Sequence, residues 1–214
     1  FPQSGKELIS VTHSSLGIRN IEIEKKTSKK RILCLGGSHT WGAAVQEDDR
    51  YTNLLNKNTN LEFINFGHCS MGLDQISIFI KKESITHKPD LITIEHYPWS
   101  IHRILNNFVN GYIRPHYDFN SNGKIVLKKI QPLHNIDIYR KLIGNYLQFK
   151  KDFNEYSNDI DLDFSNGQID PIYKQWTQFF YEDMYIIADY ILREIKNFCD
   201  RHDIKLIFIL NAVK

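Results

Sequence analysis

The residue with the clearest chemical potential is Ser38, which follows the pair Gly36-Gly37 in the stretch "RILCLGGSHTWGAAV" (31–45). A serine hydroxyl becomes a useful nucleophile when a base takes its proton and N–H donors face the oxyanion that forms. Two glycines ahead of it allow backbone approaches that a Cβ would prevent, so the hydroxyl and its own N–H can both face a ligand. Serine is also a favoured helix N-cap, and a capping turn is the plainer reading of the same residues. His39, His68, His96 and His102 fall near expected strand ends. No H-x-H or H-x-x-x-H pair supports a metal cluster, so no metal and no cofactor is assigned. Other glycine signatures fail on spacing: there is no G-x-G-x-x-G and no G-x-x-x-x-G-K-[ST], and Thr40 occupies the second-glycine position of G-x-S-x-G.

The elements that must position this serine are legible as apolar runs. "RILCL" at 31, "LEFINF" at 61, "LITIEH" at 91 and "KLIFIL" at 205 read as strands buried on both faces, the pattern of a parallel sheet. Helical patterns lie between them. "LDQISIFIKKESI" puts Ile76, Phe79 and Ile80 on one face, and "YEDMYIIADYILREIKNFCDRHD" gives a stripe of Ile187, Tyr190, Ile191, Glu194 and Ile195. Strand, helix, strand at this spacing is the βαβ unit, and the expected fold is a three-layer α/β/α sandwich with a mainly parallel sheet. From 100 to 170 the regularity lapses into an expected inserted lobe, with Asn122-Gly123 as a hairpin turn. In such a sheet ligands bind at the carboxyl ends of the strands, which is where Ser38 leaves the first one.

Composition sets the outer bounds. The chain has 214 residues, 42% hydrophobic, enough for one substantial core, and a single domain over 1–214 is expected. A net charge of +2 from 27 basic and 25 acidic residues, without a long basic run, gives no reason to expect nucleic acid as a partner. No apolar run approaches the roughly 20 residues that span a bilayer. Cys34, Cys69 and Cys199 cannot all pair and imply no disulfide framework. Phe1 is not an initiator methionine, so an upstream segment removed from the chain is expected, and the compartment, cytoplasmic or exported, stays open. Abundant Ile, Lys and Asn suggest an AT-rich coding sequence, and the lack of an N-x-S/T sequon speaks against a eukaryotic secreted protein.

Several short blocks together resemble the SGNH, or GDSL-type, hydrolase family of lipases and acylhydrolases. Its first block is a strand followed by G-D-S and a further glycine, matched by "LGGSHTWG" with Gly37 in place of the usual Asp. "HSSLGIRNIE" resembles the "N-s-x-G-[FL]-R" lead-in of many bacterial members. "FINFGHCSMGLDQ" resembles the second block, "v-i-N-x-G-x-x-G-x-x-x-x-Q", although the glutamine comes early. "HKPDLITIEHYPWS" resembles the third, with Trp99-Ser100 where Asn-Asp is usual, and "HRILNN" resembles a subgroup with His and Arg in that loop.

The resemblance implies a flavodoxin-like sandwich and acyl transfer to water, with an acyl or acetyl ester, carbohydrate-linked or lipid, as substrate. Carried over by position, Ser38 is the nucleophile, and its N–H and that of Gly72 are oxyanion donors, each worth on the order of 3 kcal/mol in the transition state. His102, or less readily Ser100 or His96, stands in for the missing Asn donor. His39, Tyr97 and Trp99 are the substrate-binding candidates. The aromatic set Tyr97, Trp99, Phe108, Tyr112 and Tyr117 either lines a pocket or packs the lobe. Gly72 is equally accounted for by the turn before its helix. The family's terminal D-x-x-H block has no counterpart, since no D-x-x-H occurs in these residues. Either the chain is C-terminally incomplete, the favoured explanation, or it is a relative without that base. Asp200 and His202 precede the last strand, at the end of the sheet opposite Ser38, and read as surface residues. The competing functions are a noncatalytic ligand-binding relative and a carbohydrate O-acyltransferase using the same serine.

Overall fold

The structure is a computed structural model that describes residues 8–97, 101, 103–104, 108–109, 112–129 and 171–210, with the side chains of 108–109, 112–113 and 171–182 outside the description. The four apolar runs form β1 (Lys30–Gly36), β2 (Leu61–Gly67), β3 (Leu91–His96) and β8 (Lys205–Leu210). They make one sheet in the order β2-β1-β3-β8, with every pair parallel. Register aligns Gly36 with Gly67 and Leu35 with Ile94. Thus the glycine that ends β1 lies at the same edge as the ends of its two neighbours.

Four α-helices are described: α1 (Ser38–Trp41), α2 (Tyr51–Asn58), α3 (Leu73–His87) and α4 (Pro171–Arg201), with a 3-10 turn at Glu47–Asp49. The chain runs from β1 outward to β2, then back across β1 to β3 and on to β8. Right-handed crossovers put α2 on one face and α3 with α4 on the other, giving the three-layer α/β/α arrangement. Lys81 of α3 and Glu194 of α4 meet at 2.9 Å across that shared face. The expected stripes are the buried ones: Ile76, Ile80, Ile187, Ile191 and Ile195 are each at most 1% exposed. Tyr190 and Glu194 lie half-buried at the margin. Beneath them Leu33, Leu35, Ile92 and Ile94 fill the sheet side of the core.

The last strand departs from expectation. Among the described residues β8 pairs with β3 alone, and Ile207, Ile209 and Leu210 are 50%, 42% and 66% exposed rather than buried on both faces. An unbroken apolar run does not distinguish a central strand from an apolar edge.

Within 100–170 the described pieces are short: β4 (Phe108–Val109) pairs with β5 (Tyr112–Ile113), and β6 (His116–Phe119) with β7 (Ile125–Lys128), all antiparallel. Asn122-Gly123 does turn the second hairpin, with Gly123 at φ 69° and Asn120 Oδ1 accepting the N–H groups of Asn122 and Lys124. Tyr117 packs into the main core at 5% exposure, its hydroxyl 3.5 Å from Ser77 Oγ. Core packing therefore accounts for Tyr117, one of the aromatic set. Most of the expected lobe, 130–170, lies outside the described residues. Asp200 and His202 are exposed surface residues, as expected. Cys34, Cys69 and Cys199 are free thiols.

Candidate functional site

The strand order reverses direction between β1 and β3, the kind of switch point whose carboxyl edge forms a crevice in open α/β sheets. Ser38 leaves β1 at that edge, and Glu95, His96 and Tyr97 end β3 beside it. Gly37, not Ser38, is the N-cap of α1, and no side chain makes a capping hydrogen bond there. Ser38 is the first residue of the helix and half-buried. The capping explanation for this serine therefore does not apply.

Three buried polar side chains from separate parts of the chain hold this four-residue turn. From the lead-in segment, Arg19, fully buried, donates to the carbonyls of Gly42 and, at 2.9 Å, Val45, and lies 4.8 Å over the Trp41 ring. From β2, Asn65 Nδ2 donates to the Thr40 carbonyl at 2.5 Å while its Oδ1 accepts the Gly67 N–H at 2.9 Å. From β3, Glu95, 8% exposed, accepts the Thr40 N–H at 3.1 Å and its hydroxyl at 2.6 Å, both on Oε2. Room for that carboxylate exists because position 36 is glycine: a Cβ there would stand 2.4 Å from Thr40 Oγ1 and 2.6 Å from Glu95 Oε2. Burying such groups is unfavourable unless they are partnered, and here each of the three spends at least one hydrogen bond on the turn carrying Ser38 or the residues that close it.

The other oxygen of Glu95 approaches His39. Its Oε1 is 3.6 Å from His39 Nδ1, and His39 Nε2 is 3.2 Å from the Tyr97 hydroxyl, with the two rings 4.8 Å apart. His39 and Tyr97, both candidates from the sequence, thus touch each other beside Ser38. Burial, reinforced by the Arg103 charge, lowers the pKa of His96, so its imidazole is neutral near pH 7.

On the β2 side, Gly72 is the N-cap of the fifteen-residue α3 in an ordinary extended conformation (φ −101°, ψ 169°). Glycine is required there by space, since a Cβ would meet Asp74 Oδ1 at 2.5 Å and Arg103 Cβ at 3.2 Å. The Gly72 N–H donates to Gln75 Oε1 at 2.9 Å. Gln75, read from sequence only as an early block residue, is therefore the capping arm of this turn. To serve an oxyanion, the Gly72 N–H must be shared with or released by that side chain.

Two arginines brace the loop from β2 to α3. Arg114 donates to Ser70 O at 3.1 Å and Gln75 Oε1 at 2.8 Å, and Arg103 reaches Met71 O at 3.4 Å. Arg103 also spans the crevice, its Nη1 3.9 Å from where a Gly37 Cβ would be. Beneath them Asp74 is wholly buried, with Oδ2 accepting from Gln75 Nε2 at 2.6 Å and Oδ1 without a hydrogen bond. Desolvation pushes its pKa up to about 7 against the pull of Arg114.

Trp99, Ser100 and His102 lie outside the described residues. No group of three or more His, Cys, Asp or Glu residues able to hold a metal occurs among the described residues. No described helix is long and apolar enough to cross a membrane.

No protein-family model and no curated protein matches the chain. Among solved structures it is similar to AlinE4, an SGNH-hydrolase family esterase, and to a point mutant of that esterase. Each aligns at 19% identity and a TM-score of 0.29, over 33% of this chain and 41% of the other. The chain therefore spans less than half the length of the structures it matches.

Sequence reasoning missed the residues that grip the turn. Arg19 and Asn65 stood inside the quoted blocks, at the lead-in arginine and the second-block asparagine, without an assigned task. Glu95 carried a signal of its own: a lone carboxylate in an apolar strand needs a partner.

Proposed function

We propose that this chain is a serine esterase of the SGNH type, in which Ser38 attacks the carbonyl carbon of an acyl or acetyl ester. The observation that carries the reading is the convergence of Arg19, Asn65 and Glu95 on the turn that presents Ser38 at the sheet's carboxyl edge. Preorganisation of that kind benefits a nucleophile, whose attack loses orders of magnitude for about 1 Å of misplacement. The Ser38 N–H at the start of α1, together with Gly72 at the start of α3, would receive the developing oxyanion, and Arg103 adds positive charge between them. Carbohydrate-linked and lipid esters both fit an open crevice of this kind.

A second reading rests on one observation. The Gly72 N–H is engaged by Gln75, which suits a site that holds an acyl or sugar ligand without turning it over.

Hydrolysis of p-nitrophenyl acetate separates the two. The esterase reading expects turnover above the rate of free imidazole and its loss, by about 100-fold or more, in Ser38→Ala. Turnover unchanged by Ser38→Ala would leave the binding reading in its place.

A further inference from the structure

We propose that Arg103 is a direct oxyanion donor of this site, its guanidinium standing in for the asparagine donor whose place Trp99-Ser100 takes. The inference rests on the esterase reading above. The observation behind it is a bridge. Arg103 Nη1 lies 3.4 Å from Met71 O, in the loop from β2 to α3, and 3.9 Å from where a Gly37 Cβ would stand, one residue before Ser38. Chain neighbours apart, that nitrogen is the only atom of the described residues within 4 Å of the position. The space beside the turn is therefore open, and the guanidinium bounds it. An oxyanion hole is built from more than one donor, and the Gly72 N–H is already engaged by Gln75 Oε1 at 2.9 Å.

Arg103 is held at both ends. Its backbone is fixed by the adjacent Ile104, wholly buried in the core, and by Arg114 Nη2, which donates to the Arg103 carbonyl. Gly72 makes room for its stem, since a Cβ there would stand 3.2 Å from Arg103 Cβ. A donor fixed in this way costs no reorganisation when charge develops opposite it. A guanidinium carries five N–H groups, so the bond to Met71 O is compatible with donation to a ligand, and it stays charged although burial lowers its pKa. Its field reaches both neighbouring strand ends. At His96, which ends β3, burial lowers the pKa and the Arg103 charge lowers it further; at Cys69, beyond β2, burial raises the pKa and that charge opposes the rise. When Ser38 Oγ bonds to the carbonyl carbon, the π pair moves onto the carbonyl oxygen and the hydroxyl proton leaves to base or water. The Arg103 N–H groups meet that oxygen, so their contribution grows as the charge forms.

A short alkylboronic acid tests this on the 214-residue chain without requiring turnover. The Ser38 hydroxyl adds to trigonal boron: an O–B bond forms, the proton goes to water, and the tetrahedral adduct carries the negative charge an oxyanion would. Boron NMR gives its affinity, and N-butylacetamide competes for the same crevice as an uncharged analogue of the ground state. Both are measured for the wild type, Ser38→Ala, Arg103→Ala and Arg103→Met, with thermal melts alongside. Arg103→Met keeps the packing of the stem should truncation to Ala lower the melt.

Expected is Ser38-dependent boronate binding that weakens by about 100-fold in both Arg103 variants, with the amide bound as in the wild type. Guanidinium ion, at millimolar concentrations far below denaturing ones, restores part of the boronate affinity of Arg103→Ala, and sodium chloride at the same ionic strength does not. Boronate affinity near that of the wild type in the Arg103 variants, an equal loss for boronate and amide, or no rescue by guanidinium overturns the donor role and leaves the esterase reading standing. Absence of boronate binding in the wild type, or binding that Ser38→Ala leaves unchanged, overturns both.

Discussion

At the scale of single residues, the nucleophile assignment changes character once the turn is seen. From sequence, Ser38 had two readings, catalyst or cap; with Gly37 as the N-cap and no capping bond from a side chain, capping does not account for this serine. What the serine requires is held in place by groups that look structural. Asn65→Ala removes the donor to the Thr40 carbonyl and the acceptor of the Gly67 N–H, leaving both buried groups unsatisfied. The expected loss is about 1–3 kcal/mol in chemical denaturation. It should be accompanied by a fall in Ser38 reactivity greater than that of a core substitution of equal cost, because the turn itself is released. Equal reactivity loss per unit of stability in both would show that Asn65 merely packs.

Among elements, α3 and α4 are where expectation and structure agree most closely. Ile191 is wholly buried between α4 and the sheet, and Ile191→Ala is expected to cost about 2–5 kcal/mol in urea unfolding, with the slope unchanged. A cost below 1 kcal/mol would mean that the helix is only loosely docked. Such elements were legible because a helical period of apolar side chains records burial directly. Arg19 was not, since an arginine in an irregular lead-in carries no periodicity; its meaning lies wholly in the tertiary carbonyls it reaches. Arg19→Leu, which fills similar space but leaves the Gly42 and Val45 carbonyls unpaired, is expected to destabilise by about 3 kcal/mol or more. An Arg19→Leu chain as stable as wild type would show that the guanidinium is dispensable to the turn.

For the molecule as a whole, the buried carboxyl of Asp74 makes stability depend on pH. Its pKa is pushed up from 3.8 to about 7, chiefly by desolvation, so the folded chain keeps a proton that the unfolded chain has released between about pH 4 and pH 7. Through that window stability falls as pH rises. Asp74→Asn has no such proton, and its thermal midpoint relative to wild type is expected to climb across the same window and level off above about pH 7. A difference between the two that stays flat with pH would contradict the burial of an ionisable group there.

That the four apolar runs would share one parallel sheet was equally legible in the sequence, because apolar strands with helices between them call for crossover connections, whereas their order β2-β1-β3-β8 was not. The exposure of β8 among the described residues was not legible either, since apolarity reports what a strand can bury and says nothing of its neighbours. The contacts among His39, Glu95 and Tyr97 were hidden for a related reason: they come together only when β1 and β3 pair.

The central claim is that Ser38 is the reacting atom's owner, and peptide mapping after fluorophosphonate treatment tests it most directly. The account predicts one adduct per chain, on the peptide containing Ser38, with none on the Cys69 peptide and none at all in Ser38→Ala. An adduct elsewhere, or an unmodified Ser38 in protein whose melt is intact, would contradict it.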